Sequence, residues 1–414
     1  MYKKIINRIK NIIFNLILFF ISLFIPKSKE IWLFGSWFGK NFSDNSKYLF
    51  LYCEENKQKL GLKKIIWITD NDNVFNELKE RKLLVFKKRS ILGIWYHFRA
   101  GYHFVCQIPD DICPFFSVRT KRVQLWHGVG FKNISKIDEM PDTKSKKNKL
   151  LYLANKMSLP GFWYNFNFLS TSKFASESIF NFTFRLWENN VIESNYPRNI
   201  YIKDINEFTE YYMDKQQLLY KEVIEKVRDT GKKVVLYMPT YRNNAQIDKK
   251  TGKVYPLNIH SDIEFDNFNR FLVENNICML SKFHFVGNES SAHDTDNFIN
   301  LPVNLDIYPL LGFIDILITD YSSIYADFLF IDKPIIFYPY DLEEYEARDK
   351  GFLFDYDEVT PGPKVFNVEE LKMQILNCIK FDEYVSERNR IKTMYFNENI
   401  EDNFDVLIKK IKAV

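Results

Sequence analysis

The sequence lacks the motifs of the best-known nucleotide-driven and metal-dependent enzymes. It has no Walker A loop and no GxGxxG fingerprint, which argues against ATP-driven and NAD-dependent chemistry. It also has no HExxH motif and no Cys/His cluster, and the DTD at 294–296 lies in a polar loop rather than directly after a strand. We therefore predict no cofactor and no metal held by the protein.

Cysteine and excess charge are scarce as well. The five cysteines are odd in number and show no CxxC spacing, which is typical of reduced thiols in a cytoplasmic protein; they are Cys53, Cys106, Cys113, Cys278 and Cys378. The net charge is only +4, with both signs interspersed, so we expect no nucleic-acid partner. A homo-oligomer is left open by the sequence.

The first 29 residues are the most biased part of the chain. Basic residues up to Lys10 precede an apolar run at 12–25 that is interrupted by Asn15 and Ser22. The run is shorter than the ~20 residues of a spanning helix, and no cleavage site for a signal peptide follows it. We predict a helix that lies in the membrane interface, with its basic end near anionic head groups. A helix buried on its own domain and a short spanning helix are the alternatives.

From residue 30 onward, strand and helix patterns alternate, which predicts parallel sheets covered by helices. The predicted strands lie at 31–34, 63–69, 83–86, 102–106, 121–126, 168–171, 232–238, 278–283, 314–318 and 334–338. A long helix is expected at 208–228, and closing helices at 368–380, 386–396 and 401–412. We predict a membrane-associating segment at 1–29 and two doubly wound α/β domains, 30–200 and 201–414, with the ligand site in the cleft between them.

Polar residues follow several predicted strands, where such folds bind ligands. After the strand at 121–126, Gly128 allows a close backbone approach, His127 is suited to general-base catalysis and Lys132 can face an anion. After 232–238, Thr240 supplies a hydroxyl and Arg242 a planar fork of donors suited to phosphate. Taken alone, each of these residues could equally be an ordinary solvated side chain.

Two further polar groups lie in the second half. His284 follows the strand at 278–283, and taken singly it is more typical of a structural histidine. The stretch at 318–328 (ITDYSSIYADF) predicts a strand, a tight turn and a helix, so Ser322 or Ser323 can cap the helix and offer a hydroxyl to a phosphate. An ordinary helix cap is the alternative. The Pro-Gly-Pro at 361–363 predicts a rigid loop that could close over a ligand.

Together these motifs, spread over about residues 31–366, resemble the CDP-glycerol glycerophosphotransferase family, which primes and extends teichoic-acid and related capsule polymers. The landmarks are SDN at 43–45, LWHG at 125–128 with Lys132, YPRN at 196–199, PTYR at 239–242, KFH at 282–284, TDYSS at 319–323 with Asp327, KP at 333–334, and GF at 351–352 leading to PGP at 361–363. The chain departs from the family pattern at Val129 and Gly130, where Thr-Pro is usual, and at Asn195, Ile200 and Tyr241.

The resemblance implies a GT-B-like fold of two Rossmann-type domains, the first on the acceptor side and the second binding a CDP-polyol. It implies that an acceptor hydroxyl attacks the β-phosphorus of CDP-glycerol or CDP-ribitol and releases CMP at the cytoplasmic face of the membrane, where the protein is peripheral. The implied acceptor is a lipid-linked glycan or a polyol-phosphate chain.

The resemblance also assigns roles to residues. His127 would be the general base, and His284, Arg242 and Lys132 would face the diphosphate. The hydrogen-bond donors of Ser322 and Ser323, in the turn, would stabilise the departing CMP. Asp320 would orient a histidine or close the turn. The remaining positions would bind the donor or support the site; they are Thr240, Asp327, Gly128, Arg198, Pro361 and Gly362.

Two other functions remain open at this point. A GT-B glycosyltransferase that uses a nucleotide sugar would share the fold and the anion-binding turn. A non-catalytic, membrane-bound partner of a polymerase would keep the fold without needing His127. Glycerol phosphate is the expected transferred group, although the sequence does not distinguish glycerol from ribitol.

Overall fold

The structure, a computed structural model, describes residues 2–133, 146–162, 166–184, 186, 190–240, 255–283, 293–348, 351–397 and 403–414. The chain divides into two compact units. Unit 1 comprises Met1–His127, Lys136–Ile200 and Asn399–Val414, and unit 2 comprises Gly128–Ser135 and Tyr201–Glu398. Compared with the predicted domains, Gly128–Ser135 belongs to unit 2 rather than to the first domain, and Asn399–Val414 belongs to unit 1 rather than to the second.

Unit 1 is built on a parallel sheet. Its strands in the described residues are β1 (Ser28–Phe34), β2 (Lys64–Thr69), β3 (Val85–Lys87), β4 (Ala100–Val105), β5 (Lys121–Gln124), β6 (Asn167–Ser170) and β7 (Asn190–Glu193). Their order is β3-β2-β1-β4-β5-β6-β7, and all neighbours are parallel. The order reverses between β1 and β4, so this switch point is where a doubly wound sheet binds its ligand.

The central strands of unit 1 are apolar on both faces because helices cover both sides of the sheet. Trp32 and Phe34 of β1 pack against Phe104 of β4, with ring centroids 5.0 Å and 4.4 Å away, respectively. Trp67 of β2 is also fully buried. This aromatic core fixes the register of β1 and β4, and therefore the position of the loops that follow them.

Unit 2 contains a second parallel sheet. In the described part of the chain its strands are β8 (Lys233–Tyr237), β9 (Ile277–Ser281), β10 (Phe298–Asn300), β11 (Ile316–Thr319) and β12 (Ile335–Phe337). Their order is β10-β9-β8-β11-β12, with parallel pairing throughout. This order switches between β8 and β11. The predicted α/β class with two parallel sheets is confirmed.

The α-helices flank these sheets. In chain order they are α1 (Tyr2–Leu23), α2 (Asp44–Glu55), α3 (Asp72–Glu80), α4 (Ile91–Arg99), α5 (Lys146–Ser158), α6 (Asn181–Phe184), α7 (Pro197–Lys203), α8 (Lys215–Asp229), α9 (Asp262–Glu274), α10 (Ile324–Phe328), α11 (Leu342–Arg348), α12 (Tyr356–Val359), α13 (Val368–Lys380), α14 (Val385–Tyr395) and α15 (Phe404–Ala413). The helix expected at 208–228 begins only at Lys215, because Asp214 and Gln217 form a capping box there.

Helix α1 is longer than the apolar run counted from the sequence. Its stretch Ile5–Leu23 is long and apolar enough to cross a membrane by length and composition. Its polar side, however, faces unit 1: Asn15 is buried and donates to the carbonyls of Met157 and Leu159, at 2.8 Å and 2.7 Å. Arg119 donates to the carbonyl of Ser22. The opposite side of α1 exposes large apolar residues, including Ile13, Ile17 and Phe20, and Phe24, directly after the helix, is exposed as well.

Two strands were missed from the sequence, β7 and β10. Both lie at an edge of their sheet, where a strand is covered less completely than at the centre. In β7, Asn190 and Val191 are exposed, and β10 has only three residues. Neither strand therefore carries the continuous apolar run that marked the central strands.

Candidate active site

His127 follows the end of β5, close to the switch point of the unit 1 sheet. Its Nδ1 lies 3.2 Å from the carbonyl oxygen of Cys106, which follows β4. Because a carbonyl only accepts, this contact requires the proton on Nδ1 and leaves the basic lone pair on Nε2. The ring packs on the indole of Trp126, with centroids 3.9 Å apart, and lies 6.0 Å from that of Trp37. In this tautomer, Nε2 is the ring nitrogen that can accept a proton.

The peptide that carries the Cys106 carbonyl is held by a buried carboxylate, Asp111, through the Gln107 N–H. Asp111 accepts hydrogen bonds from the backbone N–H groups of Cys106, Gln107 and Phe38, at 2.9, 2.7 and 2.8 Å. Burial raises the pKa of Asp111 to about 6, although these three donors act in the opposite direction. Asp111 thus ties the loop after β4 to the loop after β1. No sequence motif identifies Asp111 as part of the site.

The loops SDN (43–45) and YPRN (196–199), far apart in the sequence, meet beside His127. The Asp44 carboxylate accepts from the Arg198 guanidinium at 2.6 Å, and both side chains are almost fully buried. Asn45 donates to the Trp126 carbonyl at 2.8 Å and accepts from the Arg198 N–H at 3.2 Å. The predicted supporting residue Arg198 is therefore part of the framework around His127.

The segment after His127 belongs to unit 2. Gly128 has a φ of +151°, which favours glycine. Phe131 is buried against Phe352 and Tyr356, at centroid distances of 5.0 Å and 5.5 Å. Lys132 forms an antiparallel bridge with Phe352. Lys132 is thus fixed on unit 2 by its backbone.

At the switch point of the unit 2 sheet, the loops after β8 and β11 are joined. Oδ1 of Asp320 accepts from the N–H groups of Thr240 and Tyr321, at 2.8 Å and 2.5 Å. The Thr319 hydroxyl donates to the Met238 carbonyl at 2.7 Å. The structure therefore brings the predicted residues Thr240 and Asp320 together. These contacts of Asp320 are to backbone groups, as expected of a residue that closes the turn.

The serine turn lies next to these residues. Ser322 and Ser323 are partly exposed and lead into α10. Ser323 occupies the N-cap position, but its side chain makes no capping hydrogen bond, which differs from the predicted hydroxyl cap. A Cβ placed on Gly130 would lie 3.4 Å from the Cβ of Ser323, so Gly130 lies close to the turn.

Three predicted site residues, Asp327, Pro361 and Gly362, are buried within unit 2. Asp327 is buried in α10 and accepts from the Tyr308 hydroxyl at 3.1 Å. The Pro-Gly-Pro at 361–363 is buried too, and the carbonyl of Pro363 accepts from the Phe337 N–H at 2.9 Å. The expectation of a loop that closes over a ligand is therefore wrong: Pro361 and Gly362 lead into a segment that extends the edge of the sheet beside β12.

Arg242 and His284 lie outside the described residues, as does Tyr241. Lys282, two positions before His284, is described: it is buried, and its Nζ donates to the Val303 carbonyl at 3.1 Å. Burial lowers the pKa of Lys282 to about 8, while the nearby Asp306 carboxylate acts to raise it.

Among the residues that the structure describes, no three His, Cys, Asp or Glu are grouped so that they could hold a metal ion.

Two doubly wound parallel sheets, with polar residues at the carboxyl ends of their strands, define a Rossmann-type α/β enzyme of the GT-B-like class. A family model described as CDP-Glycerol:Poly(glycerophosphate) glycerophosphotransferase matches residues 17–403. The chain belongs to this family, whose donor substrate is CDP-glycerol.

Known proteins agree with this assignment. The chain is 31% identical, over 378 residues, to a teichoic acid poly(glycerol phosphate) polymerase of Bacillus spizizenii, covering 89% of this chain and 88% of the polymerase. It is 27% identical, over 381 residues, to a teichoic acid glycerol-phosphate transferase of Staphylococcus aureus, covering 91% and 90%. The fold matches the structure of the wall teichoic acid polymerase TagF with a TM-score of 0.66 and 22% identity, covering 100% of this chain and 98% of that one.

Proposed function

We propose that this enzyme transfers glycerol phosphate from CDP-glycerol to a hydroxyl of a lipid-linked glycan or growing polyol-phosphate chain. The acceptor oxygen forms a bond to the β-phosphorus, the bond from that phosphorus to the bridging oxygen breaks, and CMP leaves. His127 removes the proton of the attacking hydroxyl. The observation that carries this proposal is the contact of Nδ1 with the Cys106 carbonyl, because it leaves Nε2 as the base.

Donor binding is assigned to unit 2. Ser322, Ser323 and Thr240 supply hydroxyl and backbone donors to the diphosphate, and the positively charged Lys132 balances its charge. Arg242 and His284 are assigned to the same task from their place in the sequence. Because hydrogen bonds of Asp320 and Thr319 already join the loops that carry Thr240 and the serines, we propose that the reaction needs no metal ion. Asp320 then acts by joining the two loops that carry Thr240 and the serines.

The proposed place of work is the cytoplasmic face of the cell membrane, with the protein attached peripherally. Support comes from α1, which turns Asn15 and Ser22 towards unit 1 and large apolar side chains outward. A helix in this orientation leaves its apolar side for the acyl-chain boundary while it stays packed on the protein.

The test is CMP release by purified protein from CDP-glycerol and, separately, from CDP-ribitol, each with a lipid-linked acceptor and with EDTA. We expect acceptor-dependent release from CDP-glycerol that persists with the chelator. His127→Asn should lower kcat by about 10²- to 10⁴-fold. His260→Asn, at an exposed histidine in unit 2, is the matched control and should leave kcat unchanged.

The outcomes separate the parts of the proposal. Release from CDP-ribitol alone would change the polyol but keep the reaction. Loss of activity in EDTA, restored by a divalent ion, would contradict the metal-free mechanism only. Turnover of a nucleotide sugar instead of either CDP-polyol would support the glycosyltransferase alternative. Full activity of His127→Asn would exclude His127 as the base.

A further inference from the structure

We propose that Asn45 is a positioning residue for His127, a role that rests on the proposed general-base function. Its side chain is fully buried at the start of α2. It donates from Nδ2 to the Trp126 carbonyl at 2.8 Å and accepts at Oδ1 from the Arg198 N–H at 3.2 Å. The Trp126 carbonyl belongs to the peptide that leads into His127. Asn45 therefore holds the backbone from which the base projects.

That backbone needs to be held because it is strained. Trp126 has a φ of +57°, a left-handed conformation that is unfavourable for a residue with a Cβ. Such a conformation persists only when its surroundings fix it. The indole is fixed by packing, with Phe184 4.5 Å away and His127 3.9 Å away between centroids. The carbonyl is fixed by Asn45.

Asn45 is in turn fixed by the buried ion pair beside it. Asp44 has a φ of +65°, and its carboxylate accepts from both the Arg198 guanidinium and the Asn45 N–H, at 2.6 Å and 2.7 Å. Arg198 lies at the start of α7. The first turn of α2, the start of α7 and the end of β5 are thereby joined through buried groups, which leaves Asn45 little freedom to move.

Loss of the Asn45 amide would leave the buried Trp126 carbonyl without this donor and allow the peptide to rotate. The imidazole would then move away from the Cys106 carbonyl that orients it. A displacement of about 1 Å can lower a rate by about 10²-fold. Because Asn45 lies in unit 1 and the residues assigned to the donor lie in unit 2, the effect should fall on kcat rather than on KM for CDP-glycerol.

The test compares Asn45→Asp, Asn45→Ala and Asn45→Ser with a matched control, Asn167→Asp. Asn167 is also buried in unit 1, and it also donates to a carbonyl of β5, that of Arg122, at 3.1 Å. Arg122 lies near the opposite end of that strand. We expect kcat to fall by about 10²-fold in the Asn45 variants with KM for CDP-glycerol unchanged. The Asn167 variant should keep the wild-type kcat even though it loses about as much thermal stability as the Asn45 variants.

A second measurement does not depend on turnover. The rate at which diethyl pyrocarbonate modifies His127, followed by peptide mass spectrometry, reports the position and accessibility of its imidazole, and the exposed His260 is the internal reference. The rate at His127 should change in the Asn45 variants and stay at the wild-type value in Asn167→Asp. This readout remains valid if the wild-type protein proves inactive with CDP-glycerol, so failure of the proposed function and failure of the positioning role are distinguishable.

Three results would overturn the positioning role. The first is an Asn45→Asp enzyme with wild-type kcat and unchanged modification of His127. The second is an equal loss of kcat in Asn167→Asp. The third is failure of all three Asn45 variants to fold, which would make Asn45 a residue required for the stability of unit 1.

Discussion

The guanidinium of Arg198 and the carboxylate of Asp44 form an ion pair of 2.6 Å in which both side chains are at most 4% exposed. Their positions in the sequence differ by 154 residues, so the pair closes a long loop of unit 1. Two opposite charges that are removed from water in this way depend on each other, because each is the compensation for the other's lost hydration.

We expect Arg198→Met to lower the free energy of unfolding of unit 1 by about 3–5 kcal/mol, since it leaves the Asp44 carboxylate buried and unpaired. Chemical denaturation followed by a unit 1 tryptophan signal measures the change. Lys59→Met is the matched control, because Lys59 and Asp405 form an ion pair of 2.5 Å that is 61% and 44% exposed. That control should cost less than about 1 kcal/mol. Equal losses of unfolding free energy in the two variants would show that the buried Arg198–Asp44 pair contributes no more to stability than an exposed pair.

Gly362 tests the observed packing of the Pro-Gly-Pro segment beside β12, where a loop that closes over a ligand was predicted. A Cβ at this position would lie 2.0 Å from the carbonyl oxygen of Ile335 in β12, a distance that backbone atoms cannot accept. Gly362→Ala should therefore destabilise unit 2 by about 1–3 kcal/mol. Gly312→Ala is the control in the same unit, since its Cβ would meet side-chain atoms of Ile205 no closer than 3.5 Å. A rigid loop at the surface that only covered a ligand would tolerate both changes, and thermal unfolding distinguishes the two results.

The fold was predictable where a strand has apolar side chains on both faces. β2 was expected at 63–69 and is observed at Lys64–Thr69. The edge strands β7 and β10 were not predicted because they are short and partly polar, whereas the edge strands β3 and β12 carry enough apolar residues to be expected at 83–86 and 334–338. The return of α15 to unit 1 was not predicted either, since amphipathicity shows that a helix packs but not on which domain.

The candidate site was predictable only as a set of loops. Strand ends place His127, Thr240 and Asp320 at the carboxyl edges of their sheets, and the structure has them there. The partner of the Trp126 carbonyl could not be deduced, because Asn45 is 81 residues away and sequence periodicity carries no information on such a contact. Asp111 was missed for the same reason, since its role depends on backbone groups of two separate loops.

Attachment to membranes should depend on the outward side of α1. Phe20→Glu, at a side chain that is 59% exposed, should weaken binding to vesicles that contain anionic lipid. Burial of a phenylalanine side chain is worth about 1.5–3 kcal/mol, so its loss should lower the partition constant by about tenfold or more. Ile263→Glu is the control, because Ile263 is 73% exposed on α9 in unit 2. Equal binding of both variants in a vesicle sedimentation assay would argue against α1 as the attachment site.

Lys282 should make the stability of unit 2 depend on pH. Burial lowers its pKa from 10.5 to about 8 in the folded protein, so between these values the unfolded chain binds more protons than the folded one. Stability therefore rises with pH across this window. Lys282→Met removes the titrating group, and it should be more stable than the wild type at pH 7 by on the order of 3 kcal/mol at most. This advantage should shrink as the pH approaches 10.5. Chemical denaturation measures the free energy of unfolding of both proteins at each pH. If the difference between them stays constant from about pH 7 up to the ordinary pKa of lysine, Lys282 titrates normally.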